Sequence, residues 1–256
     1  MIMKRFFLVI IIFAFVVYLS EAQEIWKQTR MEAFAGIGTT QFFGDVGGFS
    51  KGDNIIGLKD ISLKQTRYNI SGGVKYLILR DLNVRFNIAY GKLNATDSRG
   101  SNEARGFSAV TTIIEPSLIA EYYFIKSDLS NQYSFSKGRT TLQGGLFNAL
   151  EFYAFTGFGG LSYNAKLNAP LAAIGMKHNG FTPVIPLGVG VNLLFSPEYT
   201  FGLELGGRYS FSDYLDGYTS QYSSSKDVYY LLNVCFVYKL KTNSSGMPLF
   251  LNKRRF

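Results

Sequence analysis

"TFGLELGGRYSF" (residues 200–211) holds two sequences in one. Phe201, Leu203, Leu205, Gly207, Tyr209 and Phe211 take alternate positions, and Gly202, Glu204, Gly206, Arg208 and Ser210 take those between. Side chains alternate across a strand, so one face is aromatic and aliphatic and the other carries an opposite-charge pair. A water-soluble sheet would turn Glu204 and Arg208 outward. A membrane barrel would turn them inward.

The same period of two recurs along the chain. In "RYNISGGVKYLI" (67–78), Tyr68, Ile70, Val74, Tyr76 and Ile78 oppose Arg67, Asn69, Ser71 and Lys75. "LNVRFNIAYG" (82–91), "TIIEPSLIAEYYF" (112–124), "VIPLGVGVNLLF" (184–195) and "VYYLLNVCFVYKL" (228–240) repeat the pattern. "EAFAGIGTTQFF" (32–43) and "FYAFTGFGGLSY" (152–163) are glycine-rich candidates of the same kind. Alternation over this much sequence indicates strands, not helices. Eight strands are expected near 31–43, 66–79, 82–93, 107–125, 150–163, 182–196, 199–212 and 226–241. Tight turns at 79–82 and 196–199 alternate with long polar loops at 44–65, 94–106, 164–181 and 213–225. Short turns on one side and long loops on the other are the habit of outer-membrane barrels, whose short turns are periplasmic. Segment 126–149 breaks the rule as a long connection on the short-turn side, either a flexible loop or a further hairpin.

Charge decides the orientation. The polar faces hold Arg67, Lys75, Arg85, Arg208 and Lys239 against Glu115, Glu121 and Glu204, a set able to pair within one lumen. The other faces carry essentially no charge, whereas a water-facing wall would be studded with Lys and Glu. The chain is therefore expected to be an all-β, eight-stranded antiparallel transmembrane barrel of outer-membrane type, with its greasy wall against lipid. Ten residues at about 3.4 Å, tilted by about 40°, span about 26 Å, the height of such a barrel's apolar band. Closure leaves no unpaired edge in hydrocarbon. An eight-stranded lumen is filled by side chains, which argues against a porin.

The ends of the chain fit that setting. Lys4 and Arg5 precede an apolar run, "FFLVIIIFAFVVYL" (6–19), and Ser20 and Ala22 suit cleavage before Gln23. Residues 1–22 read as a signal peptide, since this 14-residue run is shorter than the roughly 20 needed to span a bilayer. The barrel would occupy 23–241, and the basic 242–256 would form a periplasmic tail beside the N-terminus. The net charge of +8 is scattered apart from "NKRRF" (252–256), so anionic lipid or an acidic partner is favoured over nucleic acid. Cys235 is the only cysteine, which excludes a disulfide framework and a thiol metal cluster. No cofactor or metal is expected.

Chemistry-bearing motifs are sparse. His178, the only histidine, lies in the loop "GMKHNG" (175–180), where Asp213, Asp216 or Ser212 could partner it in a rim hydrolase. A lone loop histidine is more often simply solvated, and an enzyme is not expected. Asp45 in "GDVGG" (44–48), with Asp213 and Asp216 in "SDYLDG" (212–217), lacks the regular spacing of a cation loop. Side-chain-to-backbone bonds in turns explain these aspartates better. Gly157, Gly159, Gly160, Gly188 and Gly190 lack the helix and lysine of a phosphate loop and read as inward residues relieving crowding.

"FFGDVGG" (42–48), "DSRGSNEARGFSAVTTIIEPSLIAEYYF" (97–124), "FYAFTGFGGLSYNAK" (152–166), "IPLGVGVN" (185–192) and "ELGGRYSFSDYLDGYTSQY" (204–222) follow one another in order. Together they resemble the Bacteroidota outer-membrane barrel family that includes PorG, a component of the type IX protein secretion system. The most specific piece is Glu204-x-Gly206-x-Arg208 followed by Asp213, Tyr214, Leu215 and Asp216, with Gly44 and Asp45 earlier in the chain. The resemblance implies eight strands, an association with periplasmic ring proteins of the secretion machine, and no catalytic residue. Adhesion or ligand capture by the long loops is the alternative.

Overall fold

A computed structural model describes residues 30–47, 61–98, 102–126, 147, 149–196, 198–219 and 226–241. The expected leader (1–22) and tail (242–256) lie outside the described residues, as does all of 126–149 except 126, 147 and 149. Eight strands follow in order: β1 (Met31–Phe43), β2 (Arg67–Leu79), β3 (Leu82–Thr96), β4 (Ser108–Ile125), β5 (Leu150–Leu167), β6 (Asn179–Leu194), β7 (Tyr199–Ser210) and β8 (Val228–Lys239). Each pairs antiparallel with the next, and β1 closes on β8, with Glu32 opposite Lys239 and Phe43 opposite Val228. The chain therefore enters and leaves at the same end as the tight turns.

Alternation sorts every strand into two faces. Outward stand Ile70, Phe86, Leu118, Phe158, Leu187, Leu205 and Val234, all exposed, while Lys75, Arg85, Glu121, Glu204 and Arg208 are buried within. An apolar wall this continuous is far larger than the patches water-soluble monomers expose. It is built to meet hydrocarbon. Tyr199, Phe201, Phe236 and Tyr238 form a cluster of rings on the wall near the turn end, with centroids 5.4–5.5 Å apart between β7 and β8.

Toward the loops the polarity of the faces inverts. On β5 the outward residues become Ser162, Asn164 and Lys166, and the inward ones Leu161, Tyr163 and Ala165. On β3, Leu93 and Ala95 are buried inside, with Lys92 on the outward face. This is the pattern of a barrel standing in water, and it marks where the lipid band ends. The strands here overrun the expected limits: β3 reaches Thr96, β5 reaches Leu167 and β6 begins at Asn179. A four-residue helix, α1 (Ala169–Ala172), sits between β5 and β6, and the Asn168 side chain accepts a hydrogen bond from Leu171 N. Among the described residues no helix is long and apolar enough to cross a membrane.

Candidate functional site: plugged lumen and capped mouth

Nearer the turns, Lys75, Arg85, Glu121 and Glu204 project from β2, β3, β4 and β7 into the barrel, and Glu151 of β5 is buried there too. Lys75 Nζ lies 3.0 Å from Glu121 Oε1. Arg85 Nη1 is 3.0 Å from the same oxygen and 2.5 Å from Glu204 Oε1. The Tyr153 hydroxyl donates to Glu204 Oε1 at 2.6 Å. The Arg85 guanidinium lies 5.2 Å from the ring centres of both Phe34 and Phe155. Closer to the loops, Arg208 Nε stands 3.5 Å from Glu115 Oε1, and the Tyr229 hydroxyl donates to Glu115 Oε2 at 2.6 Å. Charges this deeply buried persist only because each faces an opposite charge or a donor.

The Glu204-x-Gly206-x-Arg208 pattern has a mechanical meaning here. Its two ions join different ion-pair groups, and the Arg208 guanidinium together with the ring of Phe155, 2.7 Å from the Cβ position, occupies the room a side chain at Gly206 would take. Gly188 faces the same ring, while Gly160 lies on the outward face under Phe181, so not every glycine of the set points inward.

Strand parity groups Arg67 and Lys239 with this network, but the structure keeps them out of it. Arg67 tops β2, where its Nη1 donates to the carbonyls of Lys64 and Thr66 at 3.0 and 2.8 Å. Lys239 ends β8, half-buried at the opposite rim. Parity selects a face but not a height: eight residues of strand put Arg67 roughly 27 Å from Lys75 along β2.

Above the ions lies an apolar plug of Phe42, Leu93, Ile113, Leu161, Tyr229 and Leu215. A polar cap covers it. Val46 N donates to Asp216 Oδ2 at 2.9 Å, and Tyr218 N donates to Asp216 Oδ1 at 3.0 Å. Gly47 N donates to Asp97 Oδ1 at 2.8 Å, and Arg105 Nε to Asp97 Oδ2 at 2.9 Å. Arg105 Nη2 also donates to the Asp45 carbonyl at 3.0 Å. Leu215 N donates to Asp227 Oδ2 at 2.8 Å, and the Leu215 carbonyl accepts from Thr111 Oγ1 at 2.5 Å. "GDVGG" and "SDYLDG" are thus two halves of one lid. Gly44 lies between them because a Cβ there would sit 2.6 Å from Asp227 Oδ1 and 2.7 Å from Asp216 Oδ2. Gly47 adopts φ of 93°, a left-handed conformation that disfavours a side chain.

The lid explains most of the loop motif. Leu215 is the hydrophobic anchor, Tyr214 packs against the plug, and Asp216 bonds backbone across the mouth. Asp213 stands aside, accepting from Thr219 Oγ1 at 2.7 Å, with Lys226 Nζ 3.8 Å away. Burial pushes the Asp216 carboxyl up to about 7; its two backbone donors oppose the rise, and the charges of Asp45 and Asp213 add to it. Burial, and next the charge of Asp216, push Asp227 up as well. Asp97, Asp227 and Thr111 complete the lid although nothing in their local sequence singles them out. Tyr153 and Tyr229 carried a weak signal, standing at inward positions of strands whose partners bear Glu.

His178 is exposed, and its backbone carbonyl accepts from Ala165 N at 2.7 Å. Its conjectured partners are engaged elsewhere: Asp216 with Val46 and Tyr218, and Ser212 Oγ with the Tyr163 hydroxyl at 3.2 Å and with Tyr214 N. Among the described residues no three His, Cys, Asp or Glu side chains are grouped to hold a metal ion.

A protein family described as "Domain of unknown function (DUF6089)" matches residues 4–234. The chain belongs to the DUF6089 family. No protein of curated function matches it. Among solved structures, Neisserial surface protein A is 11% identical with a TM-score of 0.47, over 82% of the DUF6089 chain and 97% of the other. The outer membrane protein OprG from Pseudomonas aeruginosa is 11% identical at a TM-score of 0.42, over 84% and 98%. Ail, the attachment invasion locus protein of Yersinia pestis, solved with the heparin analogue sucrose octasulfate, is 11% identical at 0.39, over 82% and 98%.

Proposed function

We propose that this DUF6089 protein is a non-enzymatic outer-membrane barrel that anchors or docks an envelope assembly. One observation carries the reading: an apolar wall surrounds a lumen in which Glu115, Glu121 and Glu204 are each engaged by internal cations or hydroxyls. Neither wall nor lumen then presents a reacting group, which leaves rims and tails to act. The PorG resemblance points to the type IX secretion machinery as the assembly, with periplasmic ring proteins as partners. In this reading residues 1–22 are removed, both termini are periplasmic, and 126–149 with 242–256 make the contact.

The test is crosslinking in intact envelopes followed by purification of the barrel, comparing the full chain with deletions of 127–146 and of 242–256. Docking predicts a discrete periplasmic partner that one deletion removes. An unchanged set of partners in both deletions would refute it.

The second reading is surface adhesion, favoured by the water-facing extension of β3, β5 and β6 beneath an ordered lid. Replacing 168–178 with a short turn would then abolish cell-surface binding while leaving periplasmic crosslinks intact.

A further inference from the structure

Of all outward-facing strand positions, two carry a formal charge, Lys92 on β3 and Lys166 on β5. Both are positive, both lie at the loop end, and a single strand separates them. Pairing registers give their neighbourhood: Lys92 is opposite Thr112, Thr112 is opposite Asn164, and Lys166 is one outward position above Asn164. The next outward row toward the turns is Tyr90, Ile114 and Ser162. Lys92 and Lys166 therefore stand at the upper edge of the apolar wall, where its polarity inverts. Strand spacing puts their Cα atoms roughly 12 Å apart, so two lysine stems reach a common point over Thr112 and Asn164. In this structure the Lys92 ammonium lies 5.9 Å from the ring centre of Tyr68 on β2, on the far side of β3 from Lys166, so it swings across β3 to meet a ligand over Thr112.

General snorkelling at a membrane boundary would place cations around the whole circumference and at both ends. Here no outward strand position carries a cation at the turn end, where Arg80 and Lys126 lie in the connections beyond the strands. Among the described loop-end residues Lys64 and Lys177 are exposed, Lys226 is exposed but lies 3.8 Å from Asp213 Oδ2, Glu103 is exposed, and Asp97, Asp216 and Asp227 are buried in the lid.

We propose that Lys92 and Lys166, with the Thr112 hydroxyl and the Asn164 amide between them, bind a phosphate of an anionic lipid head group in the leaflet at the loop end. If the membrane reading above is right, that leaflet is the outer one and the ligand is a phosphorylated glycolipid. Two ammonium groups supply the charge complement, the hydroxyl and amide supply donors, and the wall below receives the acyl chains. Lipid is favoured over a free anion because the site opens sideways, at the level where head groups lie.

Purified barrel in neutral detergent is titrated with diphosphoryl lipid A and with the same lipid stripped of phosphate, and retained lipid is read by native mass spectrometry. Each lysine near a lipid surface contributes about 1 kcal/mol, so K92A/K166A should weaken retention of the phosphorylated lipid about thirtyfold. K92R/K166R should retain it, and millimolar inorganic phosphate should not displace it. Gel mobility with and without boiling checks that each variant is folded. Equal retention of the two lipids by the wild type, equal retention by wild type and K92A/K166A, or displacement by inorganic phosphate would each overturn the proposal. The membrane reading fails separately, by recovery of the wild-type barrel in the aqueous phase without detergent.

Discussion

At Arg85 one guanidinium serves two carboxylates, and the balance of the lumen turns on it. Glu121 retains Lys75 if Arg85 is lost, but Glu204 keeps only the Tyr153 hydroxyl. Removing one partner of a buried pair strands the other and costs about 3–5 kcal/mol, whereas replacing both by apolar groups is nearly neutral. Arg85→Leu should therefore lower unfolding free energy by that amount, and Arg85→Leu with Glu204→Leu should recover most of the loss. Urea unfolding in lipid vesicles, followed by tyrosine and tryptophan fluorescence, measures both. Additive losses in the double variant would show that the two side chains do not depend on each other.

Loops and strands tell different stories about how much can be read in advance. The strands were legible because alternation is a local signal: β1 spans the expected residues, and the limits of β2 and β4 agree to within a residue. The ends of β3, β5 and β6 were not, because Asn94, Thr96, Asn164, Lys166 and Asn179 look like loop residues once an apolar outer face is assumed. The lid was hidden for another reason. Val46 and Asp216 are separated by 170 positions, and no local pattern announces a bond across that distance.

The lid has a definite pH dependence. The folded-state value for Asp216, about 7, lies above the ordinary carboxyl value of 3.8, so the folded lid holds the proton more tightly than the open one. Its contribution is complete below the ordinary value and falls as pH rises toward 7, staying low above that. Asp227 acts in the same sense. Protection of the Val46 and Tyr218 amides from hydrogen exchange, corrected for intrinsic rates, should be higher at pH 5 than at pH 8. Asp216→Asn removes the charge but keeps only one of the two acceptor oxygens, so the pH dependence of protection should shrink while one of the two amides, Val46 or Tyr218, loses protection at both pH values. On the wall, Val234→Arg tests the element as a whole: a cation in the middle of a lipid-facing strand should lower folding stability in bilayers by about 2–4 kcal/mol. A surface position in water would shift by less than about 0.5 kcal/mol.

The molecule as a whole is a cylinder whose two surfaces have exchanged their usual roles along most of its height. Lys75, Arg85, Glu115, Glu121, Glu204 and Arg208 lie within, and Phe86, Leu118, Leu205 and Val234 lie without. The exchange reverses near the loops, where Leu93, Leu161 and Leu215 return to the interior. The most direct test places nitroxide labels in turn at Leu205, Val234, Asn164 and Glu204 of the barrel in lipid bilayers, and compares their collisions with oxygen and with a water-soluble nickel chelate. Labels at 205 and 234 should meet oxygen and exclude nickel, the label at 164 should meet nickel, and the label at 204 should meet neither freely. Nickel access at 205 and 234 equal to that at 164 would contradict a lipid-facing wall.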